Sequence, residues 1–411
     1  MSGPSLGSLY GALSPWAQAL VIAAAGTLSL ARYRALPEVT PASRLSRLPS
    51  DPAAPGEPPL VSVIVPARDE QRNLPVLLPS LLRQDYPAVE VIVVDDASTD
   101  ATAAIAAEWA ARDARLRVER GAGPLPGWTG KNAACWHGAQ AAHGDWLLFT
   151  DADTRHEPGA LRAALALGQR GGASAVSLFP RQRCETFWER LLLPFAYQQY
   201  FTGTATSALR RPDGPALANG QYFLISRSAY QAAGGHAAVA ASVIDDVALA
   251  GALKQAGYPT LVARGEALVS VRMYDSFGAL AEGFTKNTAQ FLRAQRGAGT
   301  LVALATAANA VTLPALLVAA ASGNAMGMSG AALAYGVQVG LFAPWAHRFG
   351  APRGYALLAP LAALVFTGIA LASFAHALFR WPVRWKGRAL SSALTGAHRR
   401  ASTASRGENT R

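Results

Sequence analysis

Short apolar runs alternate with helical patterns along residues 59–275. The runs at residues 61–65, 89–94 and 146–150 are rich in β-branched and aromatic residues, as buried strands are. A helical pattern covers residues 100–112, between the second and third runs. Strands that alternate with helices at this spacing predict an α/β domain, with a parallel sheet covered by helices on both faces.

Longer apolar segments lie on both sides of this region. Residues 10–31 are rich in Ala, Leu and Val and carry no charge, and a helix of that length crosses the roughly 30 Å hydrocarbon core of a bilayer. A signal peptide is the rival interpretation, but no Lys or Arg precedes the segment and its positive charges follow it. Residues 10–31 are therefore predicted to be a transmembrane anchor whose carboxyl end is cytoplasmic.

Three further apolar stretches, at about residues 300–321, 325–345 and 355–379, predict a C-terminal transmembrane region over residues 300–379. With the central domain in the cytoplasm, three crossings put the C-terminus outside, whereas the basic residues at 380–388 favour the cytoplasmic side. One stretch is therefore a candidate re-entrant or interfacial segment, and we choose residues 325–345 because they are rich in Gly. Two or three C-terminal crossings remain open.

Residues 187–201 form a separate aromatic-rich segment that is interrupted by Pro194. The segment is too short and too polar to span a bilayer. We predict an amphipathic segment that lies in the membrane interface, where a molecule dissolved in the bilayer can enter. The competing interpretation is a buried helix of the soluble core.

The composition favours a membrane protein over a purely soluble one. Of the 411 residues, 51% are hydrophobic, and the mean hydropathy is +0.17. The formal net charge of +11 is compatible with nucleic acid or with an anionic membrane. Because the basic residues cluster beside the apolar segments, we expect a membrane and no nucleic-acid partner. Residues 32–58, with Pro and Ser spread through them, are predicted to be a linker, and residues 380–411 a basic tail.

The cysteine count bears on the compartment. Cys135 and Cys184 are the only two cysteines, so the sequence implies no disulfide framework. A reducing location suits the central domain. We therefore predict an integral protein of the cytoplasmic membrane with this domain in the cytoplasm.

Carboxylates follow the third apolar run, at the point where the predicted strand ends. Side chains alternate along an extended chain, so Asp151 and Asp153 can point the same way and share one cation. A hard divalent ion such as Mg²⁺ or Mn²⁺ takes such oxygen ligands and bridges them to substrate phosphates. An isolated Asp-x-Asp is more typical of a solvated loop. Here the first two strands also end in polar residues, and ligands of parallel sheets bind at the carboxyl ends of the strands.

Several motifs together carry a family resemblance. Residues 61–70 (VSVIVPARDE), 94–100 (VDDASTD) and 151–153 (DAD) resemble, in order, the motifs of family 2 glycosyltransferases, which bind nucleotide sugars on a GT-A fold. Four later motifs are residues 127–132 (GWTGKN), 219–222 (NGQY), 234–236 (GGH) and 244–247 (IDDV). They are similar to the membrane-bound branch that includes the hydroxychlorobactene glucosyltransferases and the hopanoid-associated glycosyltransferases. The resemblance covers roughly residues 59–295, which are therefore predicted to form a GT-A domain.

The resemblance implies a donor site at the strand ends. Gly130 opens a helix whose free N–H groups and positive dipole end favour phosphate, and Lys131 adds a full charge. An ordinary surface loop is an equal alternative for Glu70. The residues implied in nucleotide-sugar binding are Pro66, Arg68, Glu70, Asp96, Gly130, Lys131, Asn132 and Asp151, and those implied in metal binding are Asp153 and Asp151.

The acidic pair Asp245 and Asp246 precedes a helical pattern. Transfer to a hydroxyl needs a carboxylate that takes the proton, and Asp246 aligns with the base of the family. The usual Glu-Asp is Asp-Asp here, which shortens the first side chain. Single displacement implies inversion at the sugar carbon. The acceptor side is expected at Asn219, Gly220, Gln221 and His236, although His236 is as well explained as a turn histidine bonded to the backbone.

A departure from the family pattern bears on the product. Processive synthases of the family carry Gln-x-x-Arg-Trp, whereas this chain has Gln290, Arg293 and then Ala294 in the place of Trp. This favours transfer of a single sugar, from a donor such as UDP-glucose to a lipid such as a carotenoid or hopanoid-like molecule. The alternatives are a polyprenyl-phosphate sugar synthase and a non-catalytic membrane protein that binds nucleotide sugars.

Overall fold

The computed structural model resolves two compact units. A helical unit comprises residues 15–35, 183–207 and 274–381, and a sheet unit comprises residues 36–182 and 208–273 with the short strands near the C-terminus. The described residues are 15–39, 58–121, 123, 125–209, 211, 213–294, 297–379, 381, 383–385 and 388–390. Residues 10–14 of the predicted anchor, and most of the predicted linker and basic tail, lie outside these ranges.

Twelve strands occur in the described ranges. In chain order they are β1 (Val61–Ala67), β2 (Val89–Asp95), β3 (Leu116–Arg120), β4 (Trp146–Phe149), β5 (Thr154–His156), β6 (Ala175–Phe179), β7 (Arg181–Gln182), β8 (Phe223–Ser226), β9 (Leu261–Arg264), β10 (Val269–Val271), β11 (Val383–Trp385) and β12 (Arg388–Leu390).

The described ranges also contain thirteen α-helices. They are α1 (Pro15–Arg34), α2 (Leu74–Leu82), α3 (Thr102–Arg112), α4 (Gly130–Ala141), α5 (Ala160–Gly171), α6 (Phe187–Gly203), α7 (Arg227–Ala232), α8 (Asp245–Gln255), α9 (Phe277–Ala294), α10 (Gly297–Ala310), α11 (Thr312–Ala321), α12 (Ala325–Arg348) and α13 (Ala359–Phe379).

The main sheet has seven strands in the order β3-β2-β1-β4-β8-β6-β9. The predicted parallel pairing is correct for the three predicted strands, β1, β2 and β4. Of the strands that were not predicted, β3 is parallel to β2 and β6 is parallel to β9, whereas β8 runs antiparallel to both of its neighbours. Because Phe223 pairs with Phe149, the beginning of β8 lies beside the carboxyl end of β4. The residues that precede β8 therefore reach the same edge of the sheet as Asp151.

Hydrophobic cores cover both faces of the main sheet, as predicted. Alternate residues of β1 point to opposite sides, and Val63 and Val65 pack in one core with Leu77 of α2. Ile64 packs in the other core with Ala134 of α4. The helix α4 is thus fixed against the sheet with its first turn at the carboxyl ends of the strands.

A carboxylate connects neighbouring elements at the amino ends of the parallel strands, opposite the predicted site. Glu90 of β2 accepts hydrogen bonds from Ser62 Oγ and from the backbone N–H of His143 (2.7 Å), and it pairs with Arg117 of β3 at 2.9 Å. Burial alone would raise the pKa of Glu90, but the hydrogen bonds from Ser62 and His143 and the charge of Arg117 lower this pKa to about 2.

This network predicts a pH dependence of stability. A carboxylate with a lowered pKa stabilises the fold above its unfolded pKa, and the stabilisation is lost as the pH falls towards the folded pKa. The shift in Glu90 from 4.5 to about 2 corresponds to about 3 kcal/mol. We expect Glu90→Gln to lower the free energy of unfolding at pH 7 and to matter progressively less between pH 4.5 and pH 2. Urea unfolding at several pH values measures this, and an equal loss at all pH values would contradict it.

In the helical unit, α6 differs from the predicted interfacial segment. Leu191, Leu192 and Phe195 are buried, and the polar Gln198 and Gln199 are buried as well. Burial on all sides is typical of a core helix, because an interfacial helix keeps one polar face in water. The start of α6 is fixed by a capping box between Thr186 and Glu189. The rival interpretation of a buried helix is therefore nearer to the observed structure, although the core is that of the helical unit.

Three stretches of the described chain are helical, long and apolar enough to cross a membrane: Ala298–Ala321, Ala325–Arg348 and Arg353–Phe379. The N-terminal helix α1 is not among them, so the predicted N-terminal crossing is not supported. Polar Gln18 and basic Arg32 lower its apolar character, and Gln18 is buried within the helical unit. The stretch chosen as re-entrant is one continuous helix, α12.

A kink separates α10 from α11. Pro314 has no N–H, so the carbonyl of Ala310 loses its helical donor. The side-chain amide of Gln18 in α1 donates to the carbonyl of Ala308 at 2.8 Å, and that of Gln338 in α12 donates to the carbonyl of Asn309 at 3.2 Å. Proline is tolerated in such helices where neighbouring helices satisfy the backbone. Gln18 therefore serves packing between helices, which explains an amide in an otherwise apolar segment.

Candidate active site

Lys131 lies between two carboxylates that are far apart in the sequence. Its Nζ atom lies 2.9 Å from Asp151 Oδ1, just after β4, and 3.4 Å from Asp245 Oδ2, in the first turn of α8. Lys131 itself is in the first turn of α4, where the side chain of Thr129 caps the helix. The structure thus brings together three residues that the sequence assigned to donor, metal and catalytic roles.

Asp246 is held by backbone N–H groups. Its Oδ2 accepts a hydrogen bond from Gly220 N (2.8 Å), and its Oδ1 accepts one from Val247 N (2.8 Å). A Cβ atom added at Gly220 would lie 3.2 Å from Lys131 Nζ and 3.5 Å from Asp246. Glycine therefore permits a close approach here, and the predicted acceptor segment does contact the predicted base.

The charges of this cluster shift its pKa values in different directions. Burial alone would lower the pKa of Lys131, but the charges of Asp151 and Asp245 raise it well above its usual value. Burial would raise the pKa of Asp245, yet the charge of Lys131 keeps this pKa below its usual value. For Asp246, burial and then the charge of Asp245 raise the pKa to about 6. The pair thus divides into an ionised Asp245 and a more basic Asp246, which suits a proton acceptor near neutral pH.

The segment before β8 is fixed to the sheet. Asn219 N donates to Ser177 Oγ (2.7 Å), and Asn219 Oδ1 accepts from Gln221 N (2.9 Å). The carbonyl of Gln221 accepts from Thr150 Oγ1 at 2.8 Å. The side chain of Asn219 and the backbone of Gln221 therefore shape the turn that presents Gly220 N to Asp246.

A buried histidine, His156, lies next to the threonines that flank Asp151 and Asp153, and it was not predicted from the sequence. Thr150 and Thr154 flank the two carboxylates, and their hydroxyls lie 3.1 and 3.0 Å from His156 Nε2. The Thr154 hydroxyl also donates to the carbonyl of Asp151 at 2.8 Å. Burial lowers the pKa of His156 to about 3, so its ring is neutral. The only signal in the sequence is a histidine three residues after Asp153, with threonines on either side of the motif.

The loops after β1 and β2 lie side by side. Pro66 is within β1, and Arg68 Nη1 donates to the carbonyl of Asp96 at 3.1 Å. Burial raises the pKa of Asp96 to about 6, and the charge of Arg68 opposes that shift. The structure thus brings Arg68 and Asp96, both implied in nucleotide binding, to the carboxyl ends of adjacent strands.

Both loops contain a residue other than glycine in the left-handed region. Asp69 has φ 52° and Ala97 has φ 53°, and such conformations concentrate at binding sites. Asp69 Oδ1 accepts from Thr99 N at 2.7 Å, which joins the two loops. Glu70 is buried and accepts a hydrogen bond from Asn73 Nδ2 at 2.6 Å, so it is not an ordinary exposed loop residue.

Two predicted site residues have structural partners instead. Asn132 is fully buried, and its side-chain amide faces the carbonyls of residues 239–242. His236 is buried with its Nδ1 2.9 Å from the Tyr230 hydroxyl, and its ring packs edge-on against Phe149. Burial lowers the pKa of His236 to about 4, so the ring is neutral. Asn132 and His236 therefore both have partners within the protein, and the partner of the His236 ring is the Tyr230 hydroxyl rather than the backbone.

The donor atoms present fit a hard divalent cation that is completed by its substrate. Asp151 and Asp153 offer two carboxylates, the kind of oxygen ligand that such an ion takes. Within the described ranges, no group of three or more His, Cys, Asp or Glu side chains could hold a metal ion on its own. A cation at this position would therefore take its remaining ligands from water and from the diphosphate.

Comparisons with known proteins find similar sequences and a similar fold. The model of the family "Glycosyl transferase family 2" matches residues 62–234. A 4,4'-diaponeurosporenoate glycosyltransferase of Staphylococcus haemolyticus is 33% identical over 234 residues, which cover 56% of this chain and 61% of that protein. The protein of the same name from Staphylococcus aureus (strain MRSA252) is 31% identical and covers 55% of this chain and 60% of its own length. This chain thus matches about three fifths of the length of these relatives.

A solved structure is similar over most of the chain. It is a mannosyltransferase from Pyrobaculum calidifontis in complex with GDP-Man and Mn²⁺, with a TM-score of 0.55, 20% identity, and coverage of 89% of this chain and 99% of that one. At this identity the likeness concerns the fold. Residues 62–234 of this chain are thus similar to glycosyl transferase family 2, and the chain shares the fold of this mannosyltransferase.

Proposed function

We propose that this protein is an inverting glycosyltransferase that moves a single sugar from a nucleotide-diphosphate sugar, UDP-glucose in the first instance, to a membrane lipid. The observation that carries the proposal is the position of Lys131 between Asp151 and Asp245, with Asp246 next to them. A diphosphate site and a proton acceptor thereby lie within one cluster. Binding of the donor alone does not require a base, so the cluster favours catalysis over a binding protein.

Each side chain then has a distinct task. The first turn of α4 and the charge of Lys131 attract the diphosphate. Asp246, whose pKa is raised to about 6, takes the proton from the acceptor hydroxyl as the acceptor oxygen attacks the anomeric carbon. Asp151 and Asp153 would hold Mg²⁺ or Mn²⁺, which when bound stabilises the negative charge of the leaving diphosphate. Attack from the side opposite the leaving group inverts the sugar carbon.

A membrane location supports a lipid acceptor. Large apolar side chains on the three candidate spans are exposed, which is unfavourable in water and expected in lipid. We propose the cytoplasmic membrane, with the sheet unit in the cytoplasm. Examples of these side chains are Leu304, Leu317, Met326, Leu371 and Leu378.

The relatives narrow the acceptor. The matched proteins are named for glycosylation of 4,4'-diaponeurosporenoate, which supports a carotenoid or hopanoid-like molecule here. A polyprenyl-phosphate synthase remains the enzymatic alternative, and its acceptor phosphate would need little help from Asp246.

The test uses the full chain purified in detergent with Mn²⁺. Nucleotide sugars are screened for release of nucleoside diphosphate with and without a total lipid extract, and the lipids are then analysed by mass spectrometry. We expect release that depends on the extract and one lipid with the added mass of a single hexose. A ladder of hexose additions would indicate a polymerase instead. Tight donor binding without turnover on any lipid would indicate a non-catalytic protein.

A further inference from the structure

The amide of Asn132 connects two distant segments of the sheet unit. Asn132 Nδ2 donates to the carbonyls of Val239 (2.8 Å), Ala240 (3.0 Å) and Ser242 (3.0 Å). Three residues before Asn132, the backbone N–H of Thr129 also donates to the carbonyl of Ala240, at 2.9 Å. Four hydrogen bonds therefore join the first turn of α4 to residues 239–242.

The joined segment leads directly into the acidic pair. Ser242 is three residues before Asp245, where α8 begins. The residue at the N-cap of α8 is Ile244, whose side chain makes no capping hydrogen bond. The start of α8 therefore depends on contacts from outside the helix. Lys131 and Gly220 N contact the acidic pair itself, and the bonds from Asn132 hold the segment that leads into it.

The chemistry at Asn132 is specific for an amide. Three carbonyl oxygens converge on one nitrogen that has two hydrogens, so one hydrogen is shared. Aspartate has the same size, but it would place a carboxylate oxygen, which cannot donate a hydrogen bond, against the three carbonyl oxygens. An alanine would remove the amide donor from all three carbonyls; those of Val239 and Ala240 would keep the backbone donors Ser242 N and Thr129 N, and that of Ser242 would lose the hydrogen bond from Asn132. Because Asn132 follows Lys131 in the same helical turn, the phosphate end of α4 and the acidic pair are held as one group.

We propose that Asn132 is a positioning residue for Asp246. It acts through residues 239–242, and its side chain does not bind the donor. The inference rests on the proposed function in that it takes Asp246 to be the base. A misplacement of about 1 Å in a catalytic group can cost about 10²-fold in rate. Loss of the amide is therefore expected to lower turnover by displacing Asp246.

The experiment compares Asn132→Ala and Asn132→Asp with the wild type. We expect turnover with acceptor to fall by about 10²-fold in Asn132→Ala, and further in Asn132→Asp, while the KM for the donor is unchanged. Hydrogen exchange should accelerate in residues 239–246 and stay slow in β1 and β2. The matched control is Gln84→Ala, because Gln84 is also a buried amide that donates to carbonyls, those of Ser80 and Glu157. We expect this control to lose stability and to keep both kinetic constants once folded.

Two results would overturn the proposal. A rise in donor KM that accounts for the whole loss would make Asn132 a donor ligand, and accelerated exchange throughout the sheet would make it a general stabilising residue. Hydrogen exchange needs no substrate, so it tests the link between Asn132 and residues 239–246 even if no lipid is glycosylated. In that case the proposed function would fail and the structural link would be judged separately.

Discussion

Replacement of Asp246 by Asn is expected to lower turnover with a hydroxyl acceptor by about 10²–10⁴-fold, the usual contribution of a general base. Burial and the charge of Asp245 raise the pKa of Asp246 to about 6, which makes it a better proton acceptor than an ordinary aspartate. Asn has the same size and keeps an oxygen for one of the two backbone donors, Gly220 N or Val247 N. Initial rates at saturating donor measure the loss, and the affinity for the donor should be unchanged.

The pH profile provides an independent check. Only the ionised form of Asp246 accepts a proton, so turnover of the wild type should fall as the pH drops through about 6. Asp245→Asn removes a charge that raises the pKa of Asp246, and the acid limb should therefore move to lower pH. Asp246→Asn protein that keeps most of its turnover would show that the acceptor loses its proton unaided, as a phosphate does.

The second large effect is expected for Asp153→Ala. If Asp153 helps to hold the divalent cation, its loss removes several kcal/mol of charge stabilisation at the leaving diphosphate, which is on the order of a 10³-fold loss of turnover. The measurement is nucleoside diphosphate release as a function of Mn²⁺ concentration. The variant should need much more Mn²⁺ and should not reach the rate of the wild type.

Asp145→Ala is the matched control for this change. Asp145 lies just before the opposite end of β4, where its Oδ2 accepts a hydrogen bond from Leu60 N at 3.2 Å. We expect it to keep the wild-type rate and the wild-type response to Mn²⁺. Asp153→Ala protein with an unchanged Mn²⁺ response would rule out Asp153 as a metal ligand.

Local patterns predicted some strands and helices of the sheet unit closely. The runs at residues 61–65 and 89–94 correspond to β1 and β2, and the helical pattern at 100–112 corresponds to α3. Such elements are visible because burial on a sheet face or helix stripe repeats with a fixed period. The strand-end motifs then placed Asp151 and Asp96 at one edge of the sheet, since parallel strands end together.

Strand direction and contacts between residues far apart in the sequence were not predicted. The antiparallel direction of β8 follows from where the chain enters the sheet, which no local period records. The ion pair between Lys131 and Asp245 joins residues more than a hundred positions apart, so separate roles were predicted for them. The contacts of Asn132 were not predicted for a related reason, because the residue type suits phosphate binding and only the fold reveals three carbonyls around it.

Apolar composition was the weakest guide in the helical unit. It identified the three C-terminal stretches, but it also predicted a crossing at α1, which is not among the candidate spans, and an interfacial position for α6, which is buried. Composition does not distinguish a face in contact with lipid from a face in contact with another helix, because both are apolar.

The kink at Pro314 has a consequence for biosynthesis. Gln18 and the carbonyl of Ala308 are separated by 290 residues. At roughly 5–20 residues per second, the ribosome needs on the order of 15–60 s to make the intervening chain. During that interval the first helix has been made, but the carbonyl to which its amide donates has not. The helical unit can therefore close only late in translation, after most of the sheet unit has left the ribosome.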